Sequence, residues 1–348
     1  MQNTDTKVAA CRPTVLDVTV VIPVYNEERH IRACVESVVR QDFSKDNWEV
    51  LFVDGGSGDQ TRAILQAYTE QFSYMALLDN PRRTVPYAMN IGVRAARGRY
   101  LIRLDAHTTY AYDYVSACVY YLEKTGADNV GGPTVVTGEG PRQSAIAAGY
   151  VSPFALGGGK QHNIAYEGFV DTVSFGAFRK ESLLRAGLYD GYFTRNQDDE
   201  LNYRIQKMGG RIYQTPDIRF CYTPRASFTA LGRQYFQYGA WKVPLIRKHK
   251  KPARLTHLIP VLFVLFLALG GLACLFSDQA AVCYCALLGL YAGLVVCFSF
   301  GSSHAKGMVT KTLLCWVHVV LHVSYGAGFF AGLFTHRYPN RPLQAWDP

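Results

Sequence analysis

The sequence predicts an α/β domain built on a parallel sheet, followed by a C-terminal transmembrane helical region. Two observations carry this. From residue 18 onward, short apolar runs rich in β-branched residues alternate with stretches of helical spacing. Then come three long apolar stretches, Leu255 to Phe276, Ala280 to Phe300 and Thr312 to Phe334. Each approaches the ~20 residues that a membrane-crossing helix needs.

The elements follow in order. Val18 to Val24 reads as a buried strand ending at Asn26. Glu28 to Val39 reads as a helix, with Ile31, Val35, Val38 and Val39 on one face. Trp48 to Val53 is a second strand, running into Asp54-Gly55-Gly56-Ser57-Gly58-Asp59. Thr61 to Phe72 is a helix, Met75 to Leu78 a strand, and Val85 to Ala96 a helix stopped by Gly98. Tyr100 to Leu104 is a strand leading to Asp105-Ala106-His107. Residues 127 to 182 read as shorter strands. Gln197 to Gln206 reads as a helix, and Arg233 to Lys242 as an amphipathic, aromatic-rich helix at a membrane surface. Strand–helix alternation of this kind makes a parallel sheet covered on both faces, with ligands beyond the carboxyl ends of the strands. Each strand ends there in a polar cluster. The resulting division is a polar extension (1–17), a soluble domain (18–242), a basic segment (243–254), a membrane region of two or three helices (255–335) and a polar tail (336–348).

Charge and cysteine content narrow the function classes. Net charge is +9, and Arg247, Lys248, Lys250, Lys251 and Arg254 crowd the approach to the first apolar stretch. A basic run there anchors a segment to an anionic leaflet and places the soluble domain in the cytoplasm, at the inner membrane. Nucleic-acid binding is disfavoured because no stacking platform accompanies the run. Five of the nine cysteines (Cys274, Cys283, Cys285, Cys297, Cys315) lie in apolar sequence, and none forms a Cys-x-x-Cys pair, so free thiols in a reducing compartment are expected. Residues 1 to 17 hold no apolar core for a secretory signal.

Three acidic clusters carry the chemistry. Asp54 stands where a strand gives way to glycines. Its carboxylate either accepts hydrogen bonds from a nucleobase or ribose, or closes an Asx-turn. The loop lacks the Lys of a P-loop, and no Gly-x-Gly-x-x-Gly follows the first strand. Asp105 and His107 are two residues apart in extended sequence, so their side chains point the same way and can hold one divalent cation, Mg²⁺ or Mn²⁺. The alternative is a turn-capping carboxylate beside a solvated histidine. Asp198, Asp199 and Glu200 open a helix, where acids complement the dipole; one facing a cleft can instead take a proton from a hydroxyl.

Over roughly residues 18 to 242, these features resemble the family 2 glycosyltransferases, which have a GT-A nucleotide-sugar-binding, Rossmann-like fold. The motifs are Val20 through Glu28, Val53 through Thr61, Leu104-Asp105-Ala106-His107 and Gln197 through Leu201. Arg233 through Gly239 and the apolar tail look most like the succinoglycan-biosynthesis type of bacterial membrane enzyme. The resemblance implies that Pro23, Tyr25 and Glu27 border the nucleotide and that Asp54 binds its uracil or ribose. It implies that Asp105 is the first acid of an Asp-x-Asp metal motif, with His107 in place of the second, and that Asp198 is the catalytic base. Arg233, Gln234, Gln237 and Tyr238 then lie at the acceptor, membrane-proximal side. Gln237 and Tyr238 stand where processive members carry Arg and Trp, which disfavours a chain-extending synthase. The implied activity is a metal-dependent, inverting transfer from a nucleotide-sugar, UDP-linked at the family level, to a polyprenyl-linked saccharide in exopolysaccharide or cell-surface glycan synthesis. Polysaccharide-assembly proteins are implied partners. A catalytically dead membrane scaffold is the alternative from another class, and the retained acids argue against it.

At the membrane end, Ser277-Asp278-Gln279 carries no Lys or Arg, while Lys306 and Lys311 mark an inner loop. Three spans would leave Arg337 and Arg341 outside, against the charge rule. Gly326, Gly328 and Gly332 permit a re-entrant or closely packed last segment. His318 and His322, one turn apart, are expected to make packed interhelical contacts.

Overall fold

The structure, a computed structural model, describes residues 16–156, 159–160, 163–222, 224–250 and 255–339. Most of the polar extension, Lys251 and Arg254 of the basic run, and Arg341 of the tail lie outside the described residues.

Three βα units and a fourth strand open the described residues: β1 (Leu16–Val24), α1 (Ile31–Val39), β2 (Trp48–Asp54), α2 (Thr61–Gln71), β3 (Met75–Asp79), α3 (Val85–Ala95) and β4 (Gly98–Arg103). Then follow β5 (Thr109–Tyr110), α4 (Tyr114–Thr125), β6 (Asn129–Gly131), β7 (Val135–Val136), α5 (Gly140–Tyr150), α6 (Pro153–Leu156), β8 (Gly168–Phe169), β9 (Ala177–Arg179) and α7 (Lys180–Arg185). The domain closes with α8 (Gln197–Lys207), β10 (Ile212–Gln214), β11 (Phe220–Tyr222) and α9 (Phe228–His249). The apolar helices are α10 (Ile259–Ala273), α11 (Asp278–Phe300) and α12 (Met308–Thr335).

The main sheet has the order β3-β2-β1-β4-β9-β6-β10-β8. β1 to β4 are parallel, as the alternation predicts. The rest of the sheet, whose strand directions the sequence left open, is mixed. β9 runs antiparallel to both β4 and β6, and β8 antiparallel to β10. A parallel neighbour needs a crossover, usually helical. No helix separates β8 from β9, so the short β9 enters between its neighbours in the opposite sense. Both faces of the parallel half are covered. Val20, Ile22 and Phe52 are fully buried on one side, and Val21, Val53 and Met89 on the other. Each such side chain contributes about 1.5–3 kcal/mol by leaving water.

The first helix starts at Ile31 rather than Glu28. Asn26 adopts a left-handed conformation (φ 53°), and the Glu27 carbonyl accepts from the His30 and Ile31 amides, making residues 26–30 a turn. Helix α9 is longer than the sequence suggests. It begins at the Ser227 cap, whose Oγ accepts from the Ala230 amide at 3.1 Å, and continues through Pro244 to His249.

Three helical stretches are long and apolar enough to cross a membrane, with mean hydropathies of 2.3, 2.2 and 1.5. The third differs from the others. Along its length α12 lies against α9 at backbone distance: a Cβ on Gly328 would meet the Phe236 carbonyl oxygen at 2.0 Å, and one on Gly332 the Ala240 carbonyl oxygen at 2.4 Å. Its start is fixed by Leu314 and Val317 packing with Ala145 and Ile146 of α5. His318 Nε2 lies 2.8 Å from Ser152 Oγ. Beyond its end, Tyr338 donates to Asp190 Oδ2 at 2.9 Å. His318 and His322 also reach Ser299 and Tyr291 of α11, so they are the interhelical contacts anticipated.

Candidate active site

Asp54 ends β2, deeply buried. Its carboxylate accepts from Ser57 Oγ at 2.6 Å, from the Ser57 amide and from Arg62 Nη1 at 3.0 Å. Arg62 also holds Asp79 at the end of β3. The next loop is laced onto this one: Asn26 Oδ1 accepts from the Gly58 amide at 2.8 Å, and Ser57 Oγ accepts from the Asn26 amide. Tyr25 is half exposed, its ring against Gly55. Pro23, Tyr25, Glu27 and Asp54 therefore gather at one end of the parallel strands.

Asp105 follows β4 and is joined to Asp198, at the start of α8, by a residue that sequence reading passed over. Arg103, 3% exposed, donates through Nη1 to Asp198 Oδ1 at 2.5 Å. Its Nε and Nη2 donate to Asp105 Oδ1 at 3.2 and 3.1 Å. Two carboxylates this close would otherwise repel, and one would stay protonated. The buried guanidinium sets a positive charge between them. Burial pushes the Asp198 carboxyl above the ordinary range, and Arg103 opposes that push. Asn196, left-handed at φ 56°, starts α8 so that its first turn faces this point.

The three consecutive acids of α8 have three partners. Asp198 meets Arg103. Asp199 pairs with Lys242 of α9 at 2.8 Å; burial works to raise its carboxyl, and the Lys242 charge prevails and lowers it. Glu200 is buried among Arg204 (2.7 Å), Lys248 (2.6 Å) and His249 (3.2 Å). Burial works to raise Glu200 too, but His249 and Arg204 hold it well below the carboxylate range. Asp199 and Glu200 thus fasten α9 to α8; Asp199 still lines the site cavity, but its carboxylate is taken by Lys242, which leaves Asp198 as the acid beside Asp105.

His107 Nδ1 lies 3.1 Å from Glu27 Oε1. That bond, with Asp105 nearby, raises the imidazole above its ordinary value. The described residues contain no group of three or more His, Cys, Asp or Glu able to enclose a cation. The donor set at this point is one carboxylate and one imidazole. Such a pair fits a cation that arrives with phosphate oxygens, which is how Mg²⁺ is usually held.

A cavity of about 1180 Å³ connects these groups to the apolar helices. Asp105, His107 and Asp198 line it together with Ile259, Pro260 and Leu321. Arg233, Gln234, Gln237 and Tyr238, one face of α9, line its wall. Gln234 Nε2 donates to the Tyr238 hydroxyl at 2.9 Å, and Tyr150 donates to Gln234 Oε1 at 3.0 Å. Of the sequence-derived residues, Pro23, Tyr25, Glu27 and Asp54 do not line this cavity. Glu27 reaches it through His107.

Comparison with known proteins agrees with this geometry. Residues 19–186 match the family model "Glycosyl transferase family 2". Succinoglycan biosynthesis protein ExoA of Rhizobium meliloti is 33% identical over 91% of this chain and 95% of its own length. A Methanococcus voltae enzyme, dolichyl N-acetyl-alpha-D-glucosaminyl phosphate 3-beta-D-2,3-diacetamido-2,3-dideoxy-beta-D-glucuronosyltransferase, is 30% identical over 66% of this chain and 74% of its own. Among solved structures, the mannosyltransferase PcManGT of Pyrobaculum calidifontis, in complex with GDP-Man and Mn²⁺, superposes with a TM-score of 0.63 at 21% identity, covering 93% of this chain and 89% of that one. The chain belongs to glycosyl transferase family 2 and has the GT-A fold.

Proposed function

We propose that this glycosyltransferase is inverting and non-processive, and that it moves a hexose from a UDP-sugar to a polyprenyl-linked saccharide in exopolysaccharide or cell-surface glycan synthesis. The observation that carries this is the single cavity running from Asp198 to the apolar helices. A saccharide at the polar end can keep its lipid among Ile259, Pro260 and Leu321. The relatives named for succinoglycan synthesis and for a dolichyl-linked sugar support the same substrate class.

Asp198 takes the proton of an acceptor hydroxyl. The oxygen attacks the anomeric carbon as the bond to the nucleotide diphosphate breaks on the opposite face, and configuration inverts. Burial suits Asp198 to this work by making its carboxylate a stronger base. Arg103 keeps the carboxylate aimed. Asp54, Tyr25 and Pro23 border the nucleotide. Asp105 and His107 would hold Mg²⁺ or Mn²⁺, which supplies charge neutralisation for the departing diphosphate. Gln237 and Tyr238 line the wall where a growing chain would need its own tunnel, which favours one addition per encounter.

The membrane arrangement belongs to the same reading. α10 and α11 cross the inner membrane, and the catalytic domain faces the cytoplasm. α12 lies along the membrane surface, because both its ends bind the catalytic domain. Arg337 then stays on the basic, inner side, where the charge rule puts it. A donor screen tests the function: membranes containing the protein, a polyprenyl-linked saccharide and Mg²⁺ or Mn²⁺ should release nucleoside diphosphate from one UDP-hexose well above the others. Equal background release from all donors would reject it.

A further inference from the structure

We propose that Arg195, Arg225 and Arg233 bind the diphosphate headgroup of the lipid carrier; this deepens the reading above and rests on its lipid-linked acceptor. The three guanidiniums line the cavity that contains Asp198, and they come from three separate segments. Arg195 precedes α8, Arg225 precedes the Ser227 cap of α9, and Arg233 lies in the second turn of α9. They converge by contact as well as by lining. Arg195 Nε donates to Gln237 Oε1 at 3.2 Å, and Gln237 is one turn beyond Arg233 on the same helix face. Arg225 lines the same cavity as His107, Tyr150 and Tyr238.

Charge accounting points to an anion. The basic residues that knit the domain together already have carboxylates: Arg103 has Asp105 and Asp198, Lys242 has Asp199, Lys248 has Asp190 and Glu200. Among the described residues Arg225 and Arg233 take part in no ion pair, and the hydrogen bonds of Arg195 go to neutral acceptors, Gln237 and the Thr194 carbonyl. Asp105, Asp171, Asp198 and Asp199 share this lining, but Arg103 holds Asp105 and Asp198, and Lys242 holds Asp199; among the described residues the three arginines have no carboxylate of their own, and an anion would supply their counter-charge. Arginine forks match phosphate oxygens two at a time.

A nucleoside diphosphate and a lipid diphosphate share this chemistry. The surroundings favour the lipid. The same cavity is also lined by Ile259, Pro260 and Leu321 of the apolar helices, which suits an isoprenoid tail. The nucleotide-bordering residues Tyr25 and Asp54 lie outside the cavity. A headgroup on the arginines points its sugar toward Asp198.

The test is a binding titration of the full chain in detergent with farnesyl diphosphate, farnesol and UDP, which needs no turnover. Farnesyl diphosphate should bind at least about tenfold more tightly than farnesol. Arg225→Gln and Arg233→Gln should each weaken it about tenfold, the size of one lost charge-assisted contact, while UDP affinity changes less than about twofold. Arg233→Lys should recover part of the loss. Unchanged farnesyl diphosphate affinity in both Gln variants overturns the proposal, and so does a UDP loss equal to or larger than the lipid loss. A chain that binds farnesyl diphosphate through these arginines yet transfers no sugar contradicts the proposed function alone. A chain that transfers sugar while both Gln variants bind like wild type contradicts only this inference.

Discussion

Arg103 reaches both acids of the candidate site with one buried guanidinium, so its removal has two separable effects. Arg103→Met should destabilise the domain by about 3–5 kcal/mol, the usual result of leaving buried charges unpaired. Arg103→Lys should keep most of that stability. Both should lower kcat more than they weaken nucleotide binding, because a lysine cannot span two carboxylates; thermal melting and steady-state kinetics read the two effects. Asp198→Asn should cost about 10²–10⁴-fold in transfer, the range of a lost general base, with nucleotide affinity nearly unchanged. Combined loss of folding and binding would instead mark a structural acid. Since Asp198 titrates above the ordinary carboxylate value of about 3.9, the acid limb of the wild-type pH–rate profile should lie above that value. The two acids were legible in the sequence because each ends a strand or opens a helix. Arg103 was not. It sits inside the apolar run Tyr100 to Leu104, and its second partner is 95 positions away. Asp54 was legible as a strand end and as the acid of a local turn, which its bonds from Ser57 match, but nothing in its spacing said that Arg62 would also reach its carboxylate.

The junction of α8 with α9 is held by ionic contacts that acid should undo. The Glu200 carboxyl is lowered in the fold, so its stabilisation is complete above the unfolded value of about 4.3 and is lost as pH falls below it. Unfolding midpoints measured between neutral pH and pH 3 should therefore fall, and Glu200→Gln should flatten the slope while lowering stability at neutral pH. A slope identical in wild type and variant would remove Glu200 from the account. The other fastening is steric. Gly328→Val places a side chain against the Phe236 carbonyl and must push α12 off α9; overpacking of this kind costs about 1–3 kcal/mol or more, visible as faster proteolysis between the two helices. The sequence anticipated the close packing from three small residues, but stopped α9 at Lys242. Pro244 reads as a helix breaker, yet the helix runs on. Its last turns are pinned from outside by Lys248 on Asp190 and Glu200 and by Arg247 on the Leu333 carbonyl.

On the scale of the whole molecule, α12 binds the catalytic domain at both ends, and the proposed topology therefore keeps Tyr338 on the catalytic side. A C-terminal tag should be cleaved by protease in vesicles whose catalytic domain faces out and protected in the opposite orientation. Three apolar stretches of similar length looked alike in the sequence. Their difference lies in what covers them: 39% of the most apolar window of α12 is buried in the chain, against 6% for each of the others. Hydropathy measures what a helix avoids, not whether lipid or protein provides the shelter. The central claim is that Asp198 and the membrane helices serve one cavity. It is tested most directly by adding a polyprenyl-linked saccharide, or the same saccharide without its lipid, to membranes supplied with the UDP-hexose donor. Nucleoside diphosphate should be released with the lipid-linked form only, and not at all by Asp198→Asn. Equal release with the free saccharide, or release that survives Asp198→Asn, would contradict it.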